Sequence, residues 1–284
     1  ELEKIDRTTL NRDGQRMLDS TLFVYRAAAA VDRHGHGYVN LGWASPYLIN
    51  QSDGAYTDLV KFLTKIHTVR SRADAEAWLD RLGQMDDAMR DERRRFETDM
   101  ETGGAPPRAI LQRTLDKVHA LTPTSPREHL LILYFTESLA QISDLPEADI
   151  RKMVDRAVEM VGGAIKEEYR LLAKDLEKAL VKPSDDPGVW RIKGAENFYA
   201  DTLRLYTTTD LTPAQMHEAG QKLVASITAE IEPLLLELGQ EEGTVGQRLH
   251  VMSTDPAYLF PDTPEGRTAM IEAIDGQIKW AETR

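Results

Sequence analysis

The 284-residue chain contains no cysteine. Disulfides, thiolate nucleophiles and cysteine-ligated zinc or iron–sulfur sites are excluded together, while the compartment stays open. No apolar run approaches the ~18–20 residues that a membrane-spanning helix needs, so no membrane span is expected. Basic charge is scarce as well: 35 Lys and Arg stand against 47 Asp and Glu, a net charge of −12. Nucleic acid is therefore not an expected partner, because binding a phosphate backbone requires a basic face. The phosphate-cradling GxGxxG and P-loop patterns are missing, as is the GxSxG of serine hydrolases. Neither a basic n-region nor an apolar h-region follows Glu1, the pattern expected of a mature or truncated segment.

What is present is helical periodicity. A chain of this length predicts one large domain or two ordinary ones. After a polar arm at 1–12, a helix is expected over about Asp13 to Val31, then a glycine-containing loop from Arg33 to Asn40. Tyr56, Leu59, Val60, Leu63 and Ile66 mark one helical face. Ser71 with Asp74 predicts the start of a helix reaching about Met100, with Trp78, Leu82, Met85, Met89 and Phe96 inward. Its run Arg90 to Arg95 reads as a solvated face. Ser125-Pro126-Arg127-Glu128 predicts a capped start for a helix buried nearly all round, and Asp144 to Lys182 carries the longest pattern, interrupted by Gly162-Gly163. A close helix crossing or a kink would explain those two glycines. Thr212-Pro213 and Thr263-Pro264 open further helices, the first carrying a stripe of Leu223, Ile227, Leu234 and Leu238 with Pro233 inside it. With no strand pair expected and no internal repeat, the reading is an all-α, multi-helix bundle of eight or nine helices. An N-terminal arm and helix (1–46) is expected to precede one helical domain (47–284), with a break possible at 182–188.

Few residues suggest chemistry. His34 and His36 flank a glycine and could clip a metal, but exposed loop histidines are the commoner case, as no further ligand lies at usable spacing. His217-Glu218 starts like the zinc-protease pattern HExxH, yet the position of the second histidine is Gln221. That pair sits in the first turn of a capped helix, where acidic residues are favoured anyway. Between Gly188 and Gln221, Phe198, Tyr199, Leu203, Leu205 and Tyr206 cover more than one face of a helix, which argues for burial, while Tyr199 and Tyr206 have hydroxyls able to line a cleft. Arg191 and Arg204 flank the segment; each can hold a carboxylate, or pair with the local acids Glu196 and Asp201.

The segment with Gly194, Tyr199, Thr207 to Thr209, Asp210 to Pro213, His217 and Gly220 resembles the bacterial family labelled domain of unknown function 885. The blocks from Ile49 to Leu82 and Gly103 to Val118, and Asp255 to Arg267 downstream, resemble it too, so that the likeness runs from about Tyr47. That family resembles helical zinc metallopeptidases, whose HExxxGH-type motif lies in a C-terminal half not contained in these residues. The resemblance implies the N-terminal half of such a fold, non-catalytic by itself, forming one wall of a cleft for a peptide-like substrate. Tyr199, Arg204 and His217 are its candidate cleft-lining residues; no catalytic residue and no metal ligand carries over. Zinc is expected in the intact protein, none on this chain, and the missing C-terminal half is the expected partner. An exported or lipid-anchored protein is implied. The alternative is a non-catalytic helical binding or interaction module.

Overall fold

A computed structural model describes residues 2–35 and 37–283. The chain is 71% helical with one small two-stranded sheet, the all-α bundle that the periodicity predicts. It divides into two units, Glu1–Asp210 and Leu211–Arg284.

In the first unit, α1 (Arg12–Asp32) begins where the Asn11 side chain accepts from the Gly14 N–H at 2.8 Å. A hairpin follows: β1 (Tyr38–Asn40) pairs antiparallel with β2 (Trp43–Ser45), Tyr38 opposite Ser45. Gly42, at φ +98°, makes the tight turn. No strand pair is legible in the sequence here, because three residues are too few for an alternating pattern. Next, α2 (Ala55–Lys61) ends in a wider π turn at Phe62–Ile66. The extra residue per turn rotates Ile66 off the buried face that its spacing predicts, leaving it 68% exposed.

The long pattern after Ser71 is two helices, α3 (Arg72–Leu82) and α4 (Met85–Glu101), divided at Gly83 and Gln84. Ser71 caps the first as expected, accepting from the Asp74 N–H. From α3, Trp78 stacks on Phe135 of α6 (Leu130–Ala140) with ring centroids 4.1 Å apart. The indole N–H donates to the Leu63 carbonyl at 2.9 Å, so this large buried side chain leaves no donor unmet. Around that pair gathers the main core, which α4, α5 (Arg108–Ala120), α7 (Glu147–Met160) and α8 (Lys166–Ala179) complete. Two expectations are corrected here. Pro126–Glu128 is an isolated 3-10 turn, and the helix starts after His129, whose side chain accepts from the Leu131 N–H. That helix buries one face only, with Leu130 and Leu133 more than half exposed.

Gly162 and Gly163 turn out to serve separate purposes. A Cβ on Gly162 would sit 2.8 Å from Pro126 Cγ, so this glycine permits a close approach. Gly163, at φ −98° and ψ −110°, lies outside helical geometry within a π turn at Val161–Ile165 that joins α7 to α8. Just beyond, Glu168 is 5% exposed and receives Arg90 Nε at 3.1 Å and Arg93 Nε at 3.2 Å. Arg93 also reaches Asp175 at 3.1 Å. The basic run on α4 is thus no solvated face throughout: two of its arginines are held by a buried carboxylate on α8.

The second unit holds α10 (Pro213–Glu237), α11 (Val245–Thr254) and α12 (Pro264–Glu282). Thr212 with Gln215, and Thr244 with Gln247, form full capping boxes. α10 runs through Pro233, and Gly239 at φ +74° follows its end. The last helix of the first unit is α9 (Ala195–Thr207).

Without Glu168, Arg90 keeps Asp86 and Asp87 and Arg93 keeps Asp175, so what is lost is the charge-assisted bonds to the buried carboxylate. Glu168→Ala is therefore expected to lower stability by about 1.5–3 kcal/mol in urea unfolding, whereas an exposed pair such as Arg127 with Asp155 should be worth under about 1 kcal/mol.

Candidate cleft between the first and ninth helices

α9 is set by its ends. Gly194, left-handed at φ +80°, precedes it, and Thr208, at φ +55°, follows it. A β-branched residue in that region is strained by about 1–3 kcal/mol. The helix lies along α1, and Phe198 and Leu205 join Ala27, Val31 and Ala44 in a small core of their own. Tyr206 fastens its C-terminal end to β2: the hydroxyl donates to the Ala44 carbonyl at 2.8 Å and accepts from the Ala44 N–H at 3.0 Å. Trp43 meets the same ring edge-on.

Alongside this seam is a cavity of about 320 Å³, lined by Asp19, Phe23, Arg26, Ala27, Asp201 and Arg204 among others. Its floor is apolar and its mouth charged, and each mouth charge has a local partner. Asp19 receives Arg7 at 2.9 Å, and Arg26 reaches Glu3 at 2.9 Å. Asp201 lies 2.7 Å from His34 Nε2 and 3.0 Å from Arg33 Nη2. Burial works to raise the Asp201 carboxyl, but the bonds from His34 and Arg33 outweigh it and hold the pKa below the usual carboxylate value.

The candidate residues separate. Arg204 lies at the cavity mouth with Nε 3.1 Å from Asp210, rather than from Glu196 or Asp201. Tyr199 is half exposed on the same helix, so α9 is not buried all round. His217 lies on the first turn of α10, exposed and in the second unit, and Glu218 beside it pairs with Lys222 at 2.8 Å. Arg191 serves the fold, donating to the Tyr47 hydroxyl and the Ala105 carbonyl. Of the histidine pair in the first loop, His34 is engaged by Asp201, and His36 lies outside the described residues. Among the described residues no group of three or more His, Asp or Glu is placed to hold a metal.

Sequence reasoning missed Glu92. Its carboxylate accepts from the Ala55 N–H at 2.5 Å at the start of α2. Burial pushes its pKa up, that bond lowers it and Asp58 raises it, for a value of about 7. Nothing local marks it out within the charged run of α4, because its partner is 37 residues away. A carboxyl whose folded pKa lies above its unfolded value of 4.5 favours the folded state at low pH, and this contribution is lost as pH rises through about 7. Wild-type stability should thus fall between about pH 4.5 and pH 7 by up to about 3 kcal/mol from this group. Glu92→Gln should flatten that slope and be the more stable form at pH 8, as read by urea unfolding across the range.

The profile of the family described as bacterial protein of unknown function (DUF885) matches residues 1–284, so the likeness includes the stretch before Tyr47. No curated protein matches the chain. Among solved structures, the crystal structure of a "putative lipoprotein" from Colwellia psychrerythraea is similar, with a TM-score of 0.88 at 23% identity. The similarity covers 99% of this chain and 47% of that one, so the chain spans about half the length of that structure. At that identity it speaks for the fold alone. With the family profile matched over its whole length, the chain belongs to the DUF885 family of bacterial proteins.

Proposed function

We propose that these residues are the N-terminal scaffold and cleft wall of a zinc-dependent, peptidase-like hydrolase. The metal and its general base would be supplied by an HExxxGH half outside residues 1–284. Similarity to a structure about twice as long, over nearly all of this chain, is the observation that supports the reading, as it is what one part of a larger fold would give. In that fold the α1–α9 cavity offers an apolar floor for a side chain, and Arg204 a guanidinium able to exchange Asp210 for a substrate carboxylate. Tyr199 and His217 expose a hydroxyl and an imidazole, each able to hydrogen-bond a peptide. An exported, lipid-anchored location fits the description of the Colwellia protein, and no described helix is long and apolar enough to cross a membrane.

A second reading, a helical binding module without catalysis, draws on the exposed apolar side chains of the second unit, a surface such modules use. Elemental analysis separates the two. The complete polypeptide is expected to carry one zinc per chain and to hydrolyse peptides in a chelator-sensitive manner, with Arg204→Ala raising KM about tenfold at little change in kcat. A complete polypeptide that binds no zinc would leave only the binding-module reading.

A further inference from the structure

Among the described residues the second unit has no core cluster of its own, and the three clusters of buried apolar side chains belong to the first unit. Within Leu211–Arg284, Leu235 is the one buried hydrophobic side chain among the described residues, while seventeen large apolar residues are exposed. What holds α10 to α11 is polar: Arg248 is 3% exposed, donating to the Gln240 carbonyl and to the Glu232 carboxylate. Domains of this size ordinarily bury ~60% of the surface of the unfolded chain, and contiguous exposed apolar area of this kind marks an interaction site.

The exposed residues are ordered. On α10, Leu223, Val224, Ile227, Leu234 and Leu238 are 44–66% exposed and fall within roughly 100° of one another at about 100° per residue. On α12, Met270, Ile271, Ile274 and Ile278 fall within a similar arc. Each stripe has the three-and-four spacing by which a helix seats against another. Glu230 and Glu237 on α10, and Asp275 on α12, are exposed beside the stripes. Residues 211–284 hold twelve acidic against five basic residues, a net charge of −7.

We infer that the apolar faces of α10 and α12 are a docking surface for the remainder of the same polypeptide, entering as helices with apolar stripes and a Lys- and Arg-bearing rim. The inference rests on the reading above that these residues are part of a longer chain, not on the hydrolytic chemistry. A similar structure with roughly as much chain again provides an occupant of sufficient size. The acidic rim selects its charge and disfavours a second copy of this unit, since −7 would meet −7 across the interface.

Hydrogen exchange and Nile red fluorescence, on residues 1–284 and on the complete polypeptide, test this. Residues 1–284 should bind the dye, and the complete polypeptide should not. Amides of 223–238 and 270–280 should exchange at least tenfold more slowly in the complete polypeptide. Ile227→Asp combined with Ile274→Asp should abolish dye binding by residues 1–284, and should restore fast exchange in the complete polypeptide while exchange in α3 to α8 is unchanged. Equal exchange in both proteins overturns the inference. So does a monomeric residues 1–284 that binds no dye, which would mean the first unit covers these faces, or a dimer of residues 1–284 split by the double variant, which would mean a second copy does. A complete polypeptide that protects these amides but binds no zinc would sustain the docking surface while the hydrolase reading fell.

Discussion

The first unit depends on one break in a long helix. Chain running from Glu147 to Ala179 must line the core against α3 and α6 with its first half and against α4 and α5 with its second. A straight helix presents a single stripe along its length and could not keep both contacts. The π turn at Gly162–Gly163 re-aims it, and the absence of a Cβ at Gly162 lets it pass Pro126. Three residues beyond the turn Glu168 enters the core, and there it collects Arg90 and Arg93 from α4. Such a cluster is a costly way to fill a core, since hydrophobic residues of like volume are often as good. Its effect here is positional: a misplaced α8 would leave a buried carboxylate without its cations.

The sequence discloses features that are local. Caps at Ser71, Thr212 and Thr263 announce their helices because the capping side chain and the N–H it satisfies lie within three residues. The apolar stripes that define the class are local in the same sense, so the all-α fold could be read without a structure. Long-range partners could not. Arg93 looks like any solvated arginine until α8 supplies Glu168, and Glu92 is indistinguishable from its neighbours until α2 places the Ala55 N–H against it. Arg204 shows an intermediate case: a local acid was expected, and one is found, but Asp210 lies beyond the helix end, where the Thr208 turn directs it. The π turn after α2 and the short hairpin escape for a further reason, as both depart from the periods on which sequence reading relies.

The two units also differ in how they are held. Around Trp78 and Phe135 the first has interlocked aromatic and aliphatic side chains with their polar groups met. The second is made of well-capped helices whose apolar stripes face outward. Good caps and strong periodicity make helices; they do not by themselves make a core, because the stripe needs an opposing surface. This difference links the fold to the proposed function, in which a self-sufficient body positions the α1–α9 cavity and a second, core-poor unit joins it to further polypeptide.

Calorimetry tests that division of labour most directly. Residues 1–210 and residues 1–284 should unfold at midpoints within a few degrees of each other, with most of the enthalpy of the longer chain already present in the shorter. Loss of cooperative unfolding in residues 1–210 would show that the first unit depends on the second, contradicting the account.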